Sequence, residues 1–465
     1  MTPAHSITIE SSHALEEQLR FFAFGGAPLP SPDVLKNVQQ RLSKRQRLAT
    51  LLKGNLDFHG EDSGYVSHNL HAFAAKFPPQ LARGFIRGLT THRDVILDPM
   101  MGSGTAVLEA LLEGRHGIGL DIDPLAVRLC RVKTTPVNVR EVQDEGSKVF
   151  LRANALLSKR DVIERNLVKR FDKPTKTFID YWFLPDTQRE LMALTLAIQD
   201  VLDVSVRDFI ELTFSSIIVT KSGGVSRARD LAHSRPHLDR TKVPKNALDQ
   251  FAARLRKNLK SISQLKNNGP STTTLTGDAR CMPFADGSID LIVTSPPYAN
   301  AIDYMRAHKF SLVWLGKSIS DLSELRSKYI GSERTRDTQC NAMPKRPELT
   351  IRRLAKCDAG RAAVLRKYLS EMRAVLFEMY RVLRADSAAV VVVGKSLMRG
   401  IEIQTPCYLA DIAAGIGFDV VGIVPRVLDR NKRMMPARFH ERASSMIERR
   451  MREEYVIGLL KPEDL

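Results

Sequence analysis

The sequence predicts an α/β fold: a sheet of about seven strands that alternate with helices and are interrupted by a mainly helical insertion. Three observations lead there. Short apolar runs bounded by turn residues read as buried strands, and stretches with apolar residues three and four apart read as the helices between them. A turn containing Gly102-Ser103-Gly104 joins one such strand to a helix, as in nucleotide-binding βαβ units. From about Val132 to Pro270 the pattern changes to helices and basic loops, which places an insertion between two parts of one sheet. The chain accordingly divides into an N-terminal helical extension (residues 1–60), a sheet domain in two pieces (61–131 and 271–465) and the helical insertion (132–270).

Taken in order, residues 1–60 open with polar sequence and end in a basic helical stretch from Val34 to Leu52. Pro79 can open a helix running to about Leu89, because a first-turn residue needs no amide hydrogen. Asp94 to Leu97 reads as a short buried strand. The helix after its glycine turn carries Ala106, Val107, Ala110 and Leu111 on one face and stops at Gly114. A second strand, Gly117 to Leu120, ends at Asp121-Ile122-Asp123-Pro124, and helical sequence resumes at Leu125. Within the insertion, Leu191, Leu194, Ile198 and Val201 mark one helix, and Leu248 through Leu265 another.

Strand sequence returns at Leu275 and again from Ile289 to Val293. Pro296 and Pro297 stop that last strand, since neither supplies an amide hydrogen to a ladder. Asp303 to Gly316 reads as helix, and residues 317–357 as a long loop or small lid, poor in periodicity. A helix with Leu365, Leu369, Met372, Leu376, Met379 and Leu383 on one face leads into the strand Ala388 to Val393. The helix Leu409 to Ile416, the strand Phe418 to Val424 and the final strand Tyr455 to Leu460 complete the alternation, with an antiparallel pair at the end.

Composition bounds the function. The 465 residues carry a formal charge of +18, with a pI near 9.8, which favours a polyanionic partner. Cys130, Cys281, Cys340, Cys357 and Cys407 lack any CxxC spacing, so they indicate neither a zinc site nor a disulfide framework and suit a reducing cytoplasm. His68 and His71 have no partner cluster and read as structural or surface residues, not as metal ligands. No secretory signal and no apolar run long enough for a bilayer are apparent. The expected setting is the cytoplasm or nucleoid of a bacterium or archaeon, with no membrane partner.

The glycine turn narrows the cofactor. It lacks the third glycine of the dinucleotide fingerprint, and no phosphate-gripping lysine follows it as in a P-loop. A nucleoside without a pyrophosphate is favoured, and S-adenosyl-L-methionine fits. Its carboxylate would meet the amides of Gly102, Ser103, Gly104 and Thr105. Its ribose hydroxyls would find an acceptor in Asp121, beside Ile122, and its adenine amine one in Asp278, beside Ala279. Taken singly, Asp123 and Asp278 suit a helix cap or a turn equally well.

Two motifs together carry a resemblance. Asp98-Pro99-Met100-Met101-Gly102-Ser103-Gly104-Thr105 and Thr294-Ser295-Pro296-Pro297-Tyr298 resemble the paired signature of the amino DNA methyltransferases, which methylate exocyclic amines of cytosine or adenine. Lys76-Phe77-Pro78-Pro79-Gln80 is similar to the family's segment ahead of the cofactor loop, which helps form the methionine pocket. The resemblance covers most of residues 68–130 and 275–460 and is weak in the insertion. It implies a seven-stranded, Rossmann-like methyltransferase sheet, S-adenosylmethionine as methyl donor and a target base flipped out of double-stranded DNA.

The family's chemistry assigns roles to the elbow. An exocyclic amine is a poor nucleophile because its lone pair is delocalised into the ring. The resemblance gives Ser295 and the Pro296 carbonyl the task of accepting the amine's hydrogens, Pro297 that of fixing the bend, and Tyr298 that of stacking on the base. Ser at position 295 is typical of members that act on cytosine N4, whereas Asn or Asp accompanies N6-adenine activity. Ring-carbon methylation would need a cysteine nucleophile, and Cys407 sits too late in the chain for one; it reads as a packed helix-entry residue.

DNA must also be held. Lys221, Arg227, Arg229 and Arg235 lie in a basic loop of the insertion and are expected to face phosphates or base edges, making residues 132–270 the target-recognition region. A second basic set, Arg426, Arg430, Lys432 and Arg433, follows the sixth strand and would line the same cleft. A solvated surface loop explains the same charges. No nuclease or ATPase motif occurs, so a cognate restriction endonuclease would be a separate chain. The alternatives are an N6-adenine DNA methyltransferase, an RNA or protein-amide methyltransferase, and a non-catalytic DNA-binding protein on the same fold.

Overall fold

A computed structural model of the chain describes residues 12–25, 40–73, 76–220, 222–229, 236–266, 269–299, 303–332, 342–428 and 453–463. Seven strands form one sheet: β1 (Val95–Asp98), β2 (His116–Asp121), β3 (Thr272–Thr276), β4 (Ile289–Thr294), β5 (Leu383–Val393), β6 (Asp419–Val427) and β7 (Glu453–Lys461). Their order is β3-β2-β1-β4-β5-β7-β6. The first five are mutually parallel, while β7 runs antiparallel to both β5 and β6. The α/β methyltransferase sheet and its closing antiparallel pair are thus as the sequence predicts.

The sheet is covered on both faces, so its central strands are apolar along their whole length instead of alternating. Ile96, Leu291, Val293, Val390 and Val392 face a core shared with helices α1 (Ser12–Phe24), α2 (Lys44–Leu52) and α3 (Pro79–Leu89). Leu97, Ile292, Ala389, Val391 and Val393 face the opposite core, among residues of α14 (Lys345–Cys357), α15 (Ala359–Val382) and α16 (Thr405–Ile416). Helix α4 (Thr105–Leu112) links β1 to β2, and α5 (Pro124–Thr134) follows β2.

The insertion enters after α5 and returns at β3. It contains α6 (Val139–Leu157), α7 (Arg160–Arg170), α8 (Lys173–Trp182), α9 (Pro185–Gln199), α10 (Val204–Ile218) and α11 (Ala247–Ile262), with a short pairing of Ala228–Arg229 and His237–Leu238. Its core is continuous with Leu108 and Leu111 of α4, Leu125 and Leu129 of α5, and Phe310 and Trp314 after the elbow. The insertion is therefore packed onto the catalytic half along one apolar surface.

One expectation fails. Residues 317–357, expected to be loop or lid, contain α13 (Ile319–Ser327) as well as α14, in addition to α12 (Met305–Leu312) upstream. Helix α14 escapes the periodicity because its Lys and Arg residues dominate, leaving Pro347, Ile351 and Leu354 as its buried positions. Helix α13 buries Leu322 alone and is marked by a Ser318–Asp321 capping box. No helix among the described residues is long and apolar enough to cross a membrane.

Candidate active site

The sheet's chain order reverses between β1 and β4, and in open α/β sheets ligands bind at the carboxyl ends beside such a switch point. The glycine loop leaves β1 there and the Ser-Pro-Pro-Tyr elbow leaves β4. A hydrogen bond joins them: the Thr294 hydroxyl donates to Asp98 Oδ1 at 2.7 Å, across 196 positions of sequence. Asp98 also accepts the Met100 amide at 3.2 Å. Burial pushes its carboxyl up to about 7.

The loop's shape depends on its glycines. Gly102 and Gly104 have φ of 47° and 71°, in the left-handed region that glycine adopts without strain. A Cβ on Gly104 would stand 2.5 Å from Cys130 Sγ. The Gly102 amide donates to Asp121 Oδ2 at 2.8 Å, and the Asp123 amide to Asp121 Oδ1 at 2.9 Å. Burial, helped by the charge of Asp123, pushes Asp121 up to about 6. Asp123 itself caps α5 through the Leu125 and Ala126 amides and meets His308 Nδ1 at 2.6 Å, which bears out the helix-cap reading.

A cavity of about 340 Å³ opens at this junction, within the range of small-molecule sites. Of the residues expected at a cofactor, Lys76, Phe77, Asp98, Pro99, Met100, Gly102, Ser103, Thr105, Asp121, Ile122, Asp278 and Ala279 line it, and Ser295 and Pro297 of the elbow line the same space. Pro78 and Gly104 act through the backbone, as the N-caps of α3 and α4. Lys76 donates to the carbonyls of His68 and His71 at 3.1 and 3.3 Å, and burial lowers its ammonium to about 8.

Asp278 is less free than the sequence implied. Arg280 grips it with Nε at 2.9 Å and Nη2 at 2.6 Å, and also reaches Glu371 and the Lys328 carbonyl, both at 2.8 Å. Burial would raise the Asp278 carboxyl, but the hydrogen bonds from Arg280 outweigh it and hold the group below its usual range. A carboxylate has about four lone-pair sites, so a further donor can still be accepted.

Tyr298 does not line the cavity. Its hydroxyl donates to Glu454 Oε1 at 2.6 Å and its ring lies against Gly394, while Pro296 is buried. Several residues that do reach the cavity carried no sequence signal, among them Phe73, Tyr304 and Tyr329. The rings of Phe73 and Tyr304 stack at 5.3 Å. Lys133, fully buried, donates to the Ser103 carbonyl at 2.7 Å beneath the loop. An isolated aromatic or lysine in a helical pattern looks like any core or surface residue, so only the fold could find these.

His68 and His71 are both buried and partnered, with Glu109 and Ser215, and no metal-binding group of His, Cys, Asp or Glu occurs among the described residues. Cys407 packs at the entry of α16, as expected.

The basic residues divide differently. Arg227 donates to the carbonyls of Tyr181 and Asp180 at the end of α8, at 2.6 and 3.5 Å. The last carbonyls of a helix lack intrahelical partners, and Nη2 of this guanidinium caps them. Arg229 is exposed and paired with Asp239 at 2.6 Å. Arg426 is buried against Glu454, not lining a cleft. Lys221, Arg235, Arg430, Lys432 and Arg433 lie outside the described residues.

The chemistry of the lining suits S-adenosylmethionine. The N-terminus of α4 and Lys76 suit a carboxylate, Asp121 and Asp278 suit hydroxyls and an amine, and buried acids suit a sulfonium cation.

Comparison with known proteins agrees. A DNA methylase family model of N6/N4 methyltransferases matches residues 35–131. The Type II methyltransferase M.MvaI of Kocuria varians is 22% identical over 77% of this chain and 83% of its own. The Type II methyltransferase M.MjaII of Methanocaldococcus jannaschii is 30% identical over 27% of this chain and 23% of its own. A solved S-adenosylmethionine-dependent methyltransferase of Methanosarcina mazei aligns at 11% identity over 82% of this chain and 98% of that one, with a TM-score of 0.29, so the fold rests on the strand order instead. In its loop, its elbow and the family model that matches residues 35–131, the chain is similar to the amino DNA methyltransferases.

Proposed function

We propose that this enzyme transfers a methyl group from S-adenosylmethionine to the N4 amine of a cytosine flipped out of a specific site in double-stranded DNA. The observation that carries this is the meeting of the cofactor loop and the serine elbow in one cavity, tied by Asp98 and Thr294. When bound, the donor supplies an electrophilic methyl on a sulfonium. The chain's residues hold and orient both partners. Loop amides and Lys76 take the methionine carboxylate, Asp121 the ribose hydroxyls, and Asp278, set by Arg280, the adenine amine.

At the elbow, the Ser295 hydroxyl and the Pro296 carbonyl accept the amine's hydrogens, which turns the nitrogen lone pair towards the methyl. Pro297 fixes the bend and Tyr298 stacks on the base. Positioning and preorganised dipoles supply most of the rate, with no covalent intermediate. Site recognition belongs to the insertion, with Arg229 as one of its exposed basic residues, and the names of the relatives fit an enzyme that protects DNA from a separate restriction endonuclease.

Incubation of the full chain with DNA and S-adenosylmethionine, followed by nucleoside mass spectrometry, tests the reading. N4-methylcytosine is expected. N6-methyladenine alone would overturn the base assignment, and activity surviving Ser295→Ala would overturn the mechanism.

A further inference from the structure

The elbow's tyrosine is held from the far edge of the sheet. Besides the 2.6 Å hydrogen bond from its hydroxyl to Glu454 Oε1, the other carboxylate oxygen of Glu454 pairs with Arg426 Nη1. Glu454 on β7 and Arg426 on β6 stand directly opposite each other in the antiparallel register. Arg426 is 3% exposed, and its Nε donates to the Leu56 carbonyl at 2.9 Å. The next residue, Val427, is pinned by its amide to Asp57 Oδ1 at 2.7 Å. At the end of β5, a Cβ on Gly394 would stand 2.8 Å from Tyr298 Cε2, so only glycine lets the ring lie flush there.

A ring fixed at its backbone, against Gly394 and at its hydroxyl has one orientation left. Stacking on an extruded base needs such a ring, because a side chain free to swing must be ordered at the moment of capture. We propose that Glu454 is a positioning residue for base capture: held by Arg426, it fixes the Tyr298 ring in the attitude that receives the flipped base. The inference rests on the reading that Tyr298 stacks on that base. A buried acid bridging a tyrosine and an arginine also braces the β6–β7 pair, and the test must separate these roles.

Tyr298→Phe does so, since it keeps the ring and leaves the Glu454–Arg426 pair intact. The full chain, with S-adenosylmethionine, is titrated with a duplex carrying the site that it methylates and 2-aminopurine at the target base. Tyr298→Phe is expected to raise KM for DNA about tenfold, the loss of one hydrogen bond to a charged group. It should lower the flipped-base fluorescence, leave cofactor affinity unchanged and lower Tm less than Glu454→Ala does. Glu454→Ala should do the same at some cost in Tm, and Glu454→Gln, which keeps an acceptor for the hydroxyl, should restore part of the fluorescence. The double variant Tyr298→Phe/Glu454→Ala should be no worse at base capture than Glu454→Ala alone.

Wild-type KM and fluorescence in Tyr298→Phe would overturn the proposal and leave Glu454 a purely structural brace. Wild-type fluorescence in Tyr298→Ala would instead overturn the stacking role on which the proposal rests.

Discussion

The two ends of the cavity are organised in different ways. At the cofactor end, Asp98, the glycines and Asp121 lie within one βαβ unit, and their contacts run over a few residues or between adjacent strands. At the elbow end, Ser295 lines the cavity and Tyr298 sits behind it, steadied by Glu454, 156 positions away. The cofactor end also buries two carboxyls near neutrality, whereas the base end carries a compensated ion pair. The difference teaches that one half of the site is a sequence motif and the other is a product of the whole sheet.

The largest expected effect breaks the halves apart. Ser295→Ala should lower kcat by about 10²–10³, as for removal of one preorganised polar group. Cofactor affinity by calorimetry should stay within about twofold, because Ser295 serves only the base end in this reading.

Asp98→Asn tests the cofactor end through stability. With its carboxyl raised to about 7, native Asp98 keeps a proton that the unfolded chain releases from about pH 4, so it makes the protein less stable as the pH rises between those values. The Asn variant should therefore be more stable than wild type at pH 8 by on the order of 2 kcal/mol in urea unfolding, and equal to it near pH 4. Equal stability at pH 8 would show that Asp98 ionises freely.

Cofactor affinity should itself depend on pH. It should rise as Asp121 ionises through about 6, giving the ribose a charged acceptor, and fall as Lys76 loses its proton through about 8. Calorimetry across pH 5–9 on Lys76→Met should abolish the upper limb alone, with about a tenfold loss of affinity at pH 7.

The smallest effect concerns the insertion. Arg229→Glu should weaken DNA binding by only a few-fold and flatten the salt dependence by about one phosphate contact. Arg227→Gln should change Tm more than the salt slope, since its guanidinium caps α8. The reverse pattern would restore Arg227 as a phosphate contact.

The same contrast explains what the sequence could tell. The strands, the loop and the elbow were legible because prolines, glycines and apolar runs act locally, and Pro79 opening a helix to Leu89 is read correctly from one residue. Helix α14 was not legible, because its charges hide three buried positions. Arg426 looked like a cleft-lining residue because an arginine's partner, here a buried glutamate, is chosen by the fold. Asp278 was found without Arg280, although they are two positions apart, since a turn can place that pair together or apart.

The hydrogen bond from Thr294 to Asp98 has a consequence for both ends of the cavity. A cation that settles beside Asp98 favours its ionised form, and an ionised carboxylate is a stronger acceptor for the hydroxyl that ends β4. Whatever factor this adds to the elbow's affinity for a base, thermodynamic reciprocity returns to the cofactor. The loop that leaves β1 and the elbow that leaves β4 are thus coupled through a single shared carboxylate.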